Sequence, residues 1–192
     1  MNQSHPDSCL SAVRASMSGR AVIHNQAMLG IEPGEIFRNA NNQLVQNNKN
    51  GMFITAFFGI INLKNGEFRY CNAGHNMPYL CNAQGEVREI SMNPGFVLAG
   101  LKNFKYQTAE MVLEPGERLV LYTDGVTEAI NPKVEMYTEE RLIHVLQDSA
   151  GAAVKEIVER INHSVETFAD TAEQFDDITI LVVERTPEKA AV

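Results

Sequence analysis

Arg118-Leu119-Val120-Leu121-Tyr122-Thr123-Asp124-Gly125-Val126-Thr127-Glu128-Ala129-Ile130 is the stretch from which the fold is read. Leu119–Leu121 form a short apolar run of strand-forming residues, and Asp124-Gly125 ends it with turn chemistry. After Gly125 the spacing changes toward that of a helix, with Val126, Ala129 and Ile130 on one side. A carboxylate therefore stands where a buried strand surfaces, next to a glycine that lets the backbone turn sharply. A rigid strand end is a good mount for a metal ligand, because it fixes the oxygen closely in space. Asp-Gly after a strand equally makes an ordinary turn.

A second stretch bears on the choice. Gln174-Phe175-Asp176-Asp177-Ile178-Thr179-Ile180-Leu181-Val182-Val183 puts two acidic residues at the mouth of a continuous apolar strand. They are either solvated residues at a strand start, or they meet Asp124 and share a hard cation. Carboxylates about 4 Å apart repel by roughly 1 kcal/mol in water and roughly 4 kcal/mol at an intermediate dielectric, so close approach needs a counter-ion or a proton.

Tyr122-Thr123-Asp124-Gly125 and Asp176-Asp177-Ile178-Thr179, with Asn72-Ala73-Gly74-His75 upstream, resemble the signature segments of the metal-dependent protein phosphatases. More narrowly they resemble the bacterial SpoIIE-type branch, related to the eukaryotic protein phosphatase 2C class. Gly51-Met52-Phe53-Ile54-Thr55 before a hairpin, and Leu113-Glu114-Pro115-Gly116-Glu117 before the Tyr-Thr-Asp-Gly strand, fall in that branch's order. The resemblance runs from about Leu10 to Val183, within a single domain taken as residues 1–192. It implies an α+β fold, a four-layer αββα sandwich of two antiparallel sheets flanked by helices, here truncated at the N-terminus.

The resemblance also implies the chemistry. Aspartates at the sheet ends hold two Mn²⁺ or Mg²⁺ ions, and a metal-bound water attacks a phosphoserine or phosphothreonine, with no catalytic side chain beyond it. Hard oxygen ligands suit such ions. Asp124 and Asp176 match the two metal-binding aspartates nearest the C-terminus. Asp177 and Gly125 support them, and His75 and Asn72 are weaker supporting candidates: a turn-stabilising histidine, and an asparagine that satisfies backbone groups in its own turn. Two further family aspartates near the N-terminus of the domain have no match, since the only aspartate before Asp124 is Asp7, in the unrelated context Ser4-His5-Pro6-Asp7-Ser8. One metal or none is therefore expected, with weak or absent activity, in either a fragment or a naturally shortened relative. The implied substrate is a phosphoprotein such as an anti-sigma-factor antagonist. The alternative is a non-catalytic module that binds a signalling partner. Missing strands would leave a sheet edge uncovered, and that edge or the N-terminal helices offer a homodimer contact.

Composition limits the classes. The chain has 192 residues, 44% hydrophobic and 21% charged, as a globular domain with a core would. The net charge of −8, without any basic run, argues against nucleic-acid binding and suits a site that attracts cations. Cys9, Cys71 and Cys81 lack metal or redox spacing; Cys71 and Cys81 fall in neighbouring expected strands. No membrane-length apolar run and no signal-peptide core are present, so the cytoplasm is the expected compartment.

Along the chain, Leu10, Val13, Met17, Ala21, His24 and Met28 recur at helical steps, predicting a helix from about Ser8 to Met28 ended by Gly30, with His24 as a core or rim residue. Pro33 opens a second helix to about Asn47, burying Ile36, Phe37, Ala40 and Leu44. Met52–Leu63 and Phe68–Asn72 form a hairpin around Asn65-Gly66, and Pro78–Cys81 with Glu86–Ser91 form another around Gln84-Gly85. Met92–Asn103 is an irregular loop. Tyr106–Leu113 and Leu119–Tyr122 are expected to pair across Pro115-Gly116. Ala129–Tyr137 is read as a flap-like loop, Thr138 as the N-cap of a helix to about Gln147, and Ala152–Phe168 as the strongest helix. Ile178–Glu184 is the closing strand.

Overall fold

The computed structural model describes residues 19–49, 51–174 and 176–186. The first seven residues, Cys9, and the predicted helix before residue 19 lie outside them. Within them the fold is α+β, with helices and two antiparallel sheets as expected. No helix among the described residues is long and apolar enough to cross a membrane.

The residues gather into two compact units whose segments interleave along the chain. One takes the described residues up to Asn62, with Glu67–His75 and Met92–Met111; the other takes Leu63–Gly66, Asn76–Ser91 and the chain from Val112 onward.

The first unit holds α1 (residues 19–27), α2 (Pro33–Asn47), β1 (Ala56–Ile61) and β2 (Glu67–Ala73). Gly30 follows α1 in a left-handed conformation, and Pro33 opens α2, both as the sequence predicts. Ile36, Phe37 and Ala40 are fully buried against β1 and β2, in a core completed by Cys71, Ala73, Leu98 and Tyr106. His24 is exposed, which removes it from the core. The β1–β2 hairpin forms as expected from its Phe- and Ile-rich arms, with Phe57, Phe68 and Tyr70 stacked on one face. Its loop is longer than a two-residue Asn-Gly turn: the chain closes from Asn62 to Glu67, and Gly66 takes the left-handed φ of 77° that only glycine adopts cheaply. β5 (Ala109–Val112) completes this sheet beside β2, so β1 stands at its edge.

The second unit holds β3 (Tyr79–Cys81), β4 (Val87–Glu89), β6 (Arg118–Tyr122), α3 (Asp124–Thr127), α4 (Thr138–Asp148), α5 (Val154–Ala169) and β7 (Ile180–Glu184). The strand order is β4-β3-β6-β7. Ile157, Ile161 and Val165 of α5 bury one stripe into a core with Val120, Tyr122, Leu142 and Val182. Burying a side chain of that size stabilises by roughly 1.5–3 kcal/mol.

The expected pairing of Tyr106–Leu113 with Leu119–Tyr122 does not form. β5 joins β2 in one sheet, while β6 lies between β3 and β7 in the other. Burial explains the split. β6 is almost wholly buried and needs a neighbour on both sides, whereas β5 alternates between half-buried and exposed positions as an outer strand does. Beyond the Pro115-Gly116 turn, Gly116 N–H donates to the Arg185 carbonyl and Arg185 N–H to that of Glu117, committing the chain to β7. Cys71 and Cys81, both buried and free, consequently lie in different sheets. Thr138 is the first residue of α4 and not its cap: Tyr137 takes the N-cap position, without a side-chain cap bond, and the Thr138 φ of 71° is unusual for a β-branched residue.

Candidate functional site

β6 runs out at Tyr122, and its ladder with β7 ends at the Tyr122–Ile180 pair. Thr123 continues past that rung. Its N–H donates to the Thr179 carbonyl at 3.0 Å, its hydroxyl accepts from the Thr179 N–H at 2.9 Å, and the same hydroxyl donates to the Asp177 carbonyl at 2.8 Å. Asp124 follows as the first residue of α3, exposed, with Oδ1 accepting from the Gly125 N–H at 3.0 Å. Its carbonyl accepts from the Glu128 N–H and the Thr127 hydroxyl, which closes the turn.

Asp176 and Asp177 are exposed on the segment that leads into β7. Asp177 N–H donates to Asp176 Oδ1 at 2.8 Å, and the Gln174 amide donates to the Asp176 carbonyl at 2.8 Å. The backbone of this segment presses on Gly125. A Cβ built there would lie 2.6 Å from the Asp177 carbonyl oxygen and 3.2 Å from that of Asp176. Absence of a side chain is thus what lets the two aspartate-bearing segments meet. Four of the residues singled out from the sequence, Asp124, Gly125, Asp176 and Asp177, come together in one unit.

Asn72 and His75 lie in the other unit. Asn72 is buried; its side-chain oxygen accepts from the His75 N–H at 2.7 Å and its amide donates to the His75 carbonyl at 2.8 Å. The side chain thereby holds the Asn72–His75 turn closed from inside.

Beside Asp176 a cleft of about 250 Å³ opens between the α3 turn and the C-terminal end of α5. Ala129, Ile130, Val165 and Ile178 supply its apolar lining, and Glu128, Glu166, Asp170 and Glu173 add carboxylates. Glu128 comes from the α3 turn, while Glu166, Asp170 and Glu173 follow one another at and just beyond the end of α5. Together they bias the local potential toward cations. Under the strand, the Tyr122 phenol stacks on Tyr79 at 5.8 Å and donates to Glu139 at 3.5 Å. Burial, then the neighbouring Tyr79 and Glu139, pushes its pKa above the usual tyrosine range, so it stays a neutral support. The segment read as a flap is a self-bonded turn: Ile130 and Met136 bridge, and Asn131 Oδ1 accepts from the Lys133 and Glu135 N–H groups.

In donor chemistry Asp124 and Asp176 fit a hard divalent cation, being exposed carboxylates on backbone-locked segments. Among the described residues no group of three His, Cys, Asp or Glu comes together to hold a metal ion.

Several known proteins are similar to this chain. The sequence model of Stage II sporulation protein E (SpoIIE) matches residues 9–186. Protein IcfG of Synechocystis is 35% identical over 134 residues, 70% of this chain and 21% of IcfG. Phosphoserine phosphatase RsbU of Bacillus subtilis is 27% identical over 179 residues, 92% of this chain and 50% of RsbU. The chain thus spans about half or less of the length of these curated relatives. Among solved structures, the SiaA-PP2C domain of Pseudomonas aeruginosa superposes with a TM-score of 0.75 at 20% identity, covering 88% of this chain and 68% of that one. The phosphatase domain of Bacillus subtilis SpoIIE gives 0.63 at 16% identity, covering 91% and 76%. These two likenesses are of fold, and the family match spans nearly the whole sequence: the chain belongs to the SpoIIE family.

Proposed function

We propose that this chain is a Mn²⁺- or Mg²⁺-dependent protein serine/threonine phosphatase unit that acts on a phosphorylated regulatory protein of the anti-sigma-factor antagonist kind. The observation that carries the reading is the contact of the Gly125 turn with the Asp176–Asp177 backbone, which places two aspartate-bearing strand ends side by side. The name of RsbU, a phosphoserine phosphatase, supports the substrate class. Asp124 and Asp176 would hold the cation. When bound, it supplies charge neutralisation at the phosphoryl oxygens and acidifies and orients a water. The reaction breaks the serine or threonine O–P bond, adds water at phosphorus and releases inorganic phosphate.

With two carboxylates as its contribution, this chain alone should bind the ion weakly and turn over slowly. Phosphate release from a phosphoserine peptide in Mn²⁺ tests the reading. A slow, Mn²⁺-dependent rate lost in both Asp124→Asn and Asp176→Asn is expected; a rate indifferent to both substitutions overturns it.

A second reading is a non-catalytic module that binds a signalling partner. The lack of a three-ligand group among the described residues favours it. It requires that calorimetry detect no Mn²⁺ binding in the millimolar range or tighter.

A further inference from the structure

We propose that Thr123 is a positioning residue whose hydroxyl locks the segments bearing Asp124 and Asp176 into one rigid unit. The inference rests on the reading of those aspartates as cation ligands. A threonine hydroxyl has one proton to give and lone pairs to receive. Both capacities are used across the chain, from the Thr179 N–H at 2.9 Å and to the Asp177 carbonyl at 2.8 Å. The clamp sits just past the last rung of the β6–β7 ladder, where the single backbone bond from Thr123 N–H to the Thr179 carbonyl continues the pairing. It is one residue from each aspartate: Asp124 follows Thr123, and Asp176 precedes Asp177.

Two further bonds of the Asp176 segment are local, from the Gln174 amide to the Asp176 carbonyl and from Asp177 N–H to Asp176 Oδ1. They shape that segment without tying it to Asp124. Thr123 supplies the tie, and Gly125 leaves the room for it. Ligands must be held within about 0.5 Å of their working positions, and losing an outer support commonly costs roughly ten- to a hundredfold in metal affinity. The β-branched side chain also restricts χ1, so the hydroxyl is already aimed.

Thr123→Val keeps the shape and removes the hydroxyl; Thr123→Ser keeps the hydroxyl. Calorimetry with Mn²⁺ alone should find affinity lowered roughly ten- to a hundredfold in Thr123→Val and nearly restored in Thr123→Ser. Hydrogen exchange across residues 174–179 should quicken in the valine variant only, with circular dichroism unchanged in both. Should Asp124→Asn and Asp176→Asn abolish binding while Thr123→Val binds like the wild type, the clamp is wrong and the site stands. Mn²⁺ binding that is absent in the wild type, or unchanged in the aspartate variants, removes the underlying reading and this proposal with it.

Discussion

A single methyl group at position 125 separates space from conformation. Gly125 is not in a left-handed conformation, so its need is room: a Cβ would press on the Asp177 carbonyl carbon at 3.0 Å and its oxygen at 2.6 Å, both backbone atoms with no rotamer to yield. Gly125→Ala should therefore cost about 1–3 kcal/mol, the usual range for an overpacked site. It should also lower Mn²⁺ affinity as the two segments part. Thermal unfolding and metal titration of the same sample measure both; a variant as stable as the wild type would mean that the backbone gives way freely. Asn72 makes the contrasting case. Its buried amide closes the Asn72–His75 turn with two hydrogen bonds. Asn72→Ala leaves those backbone groups short of partners, and a loss of about 1–3 kcal/mol in urea unfolding is expected.

Between residue and molecule, the turn from Ile130 to Met136 holds a removable strain. Val134, 75% exposed, takes a φ of 64°. A left-handed β-branched residue is costly, by roughly 1–2 kcal/mol, whereas asparagine tolerates that region. Val134→Asn should stabilise by about 1 kcal/mol, seen as a rise in Tm of roughly 2–4 °C; an unchanged or lower Tm counts against the strain. This strain was invisible in the sequence, which showed only a loop with Pro132. What was legible followed from short-range pattern. α2 and α5 have periodic stripes and, for α2, a proline start, and both hairpins have their turn glycines. The partition of β5 and β6 was not legible, because adjacent strands across Pro115-Gly116 look like a hairpin whether or not they pair. The decisive difference was β6's burial, with Val120 and Tyr122 in the core beside α4 and α5, and its pairing along both edges by β3 and β7. At the site, Asp124-Gly125 and Asp176-Asp177 stood out by residue type at strand ends. Thr123 did not, since its hydroxyl's partners lie 54 and 56 residues away and a threonine in a strand is commonplace.

For the whole chain, the buried thiols and phenols set an alkaline limit. Burial pushes Cys71 up to about 12 and Cys81 up to about 11, the latter against the lowering influence of Arg118; Tyr79, Tyr106, Tyr122 and Tyr137 are also raised, chiefly by burial. Each is neutral when protonated, and each holds its proton more tightly folded than unfolded. Below the unfolded values, 9.0 for cysteine and 10.0 for tyrosine, both states are protonated and the stabilisation is fully present. As pH rises from there through the folded values, the unfolded chain sheds protons first and folding stability is lost. The fall is at most about 1.4 kcal/mol per pH unit for each group that titrates only when unfolded. Urea unfolding should therefore show the contribution of these groups flat up to about pH 9 and stability declining above it. Cys71→Ala should make that decline shallower, whatever it costs in packing at neutral pH. Because the thiolate is the reactive form, Cys71 and Cys81 should resist a thiol reagent at pH 8 until the chain is unfolded. Rapid labelling of either in the native protein, or an alkaline slope unmoved by Cys71→Ala, would contradict their burial as neutral thiols.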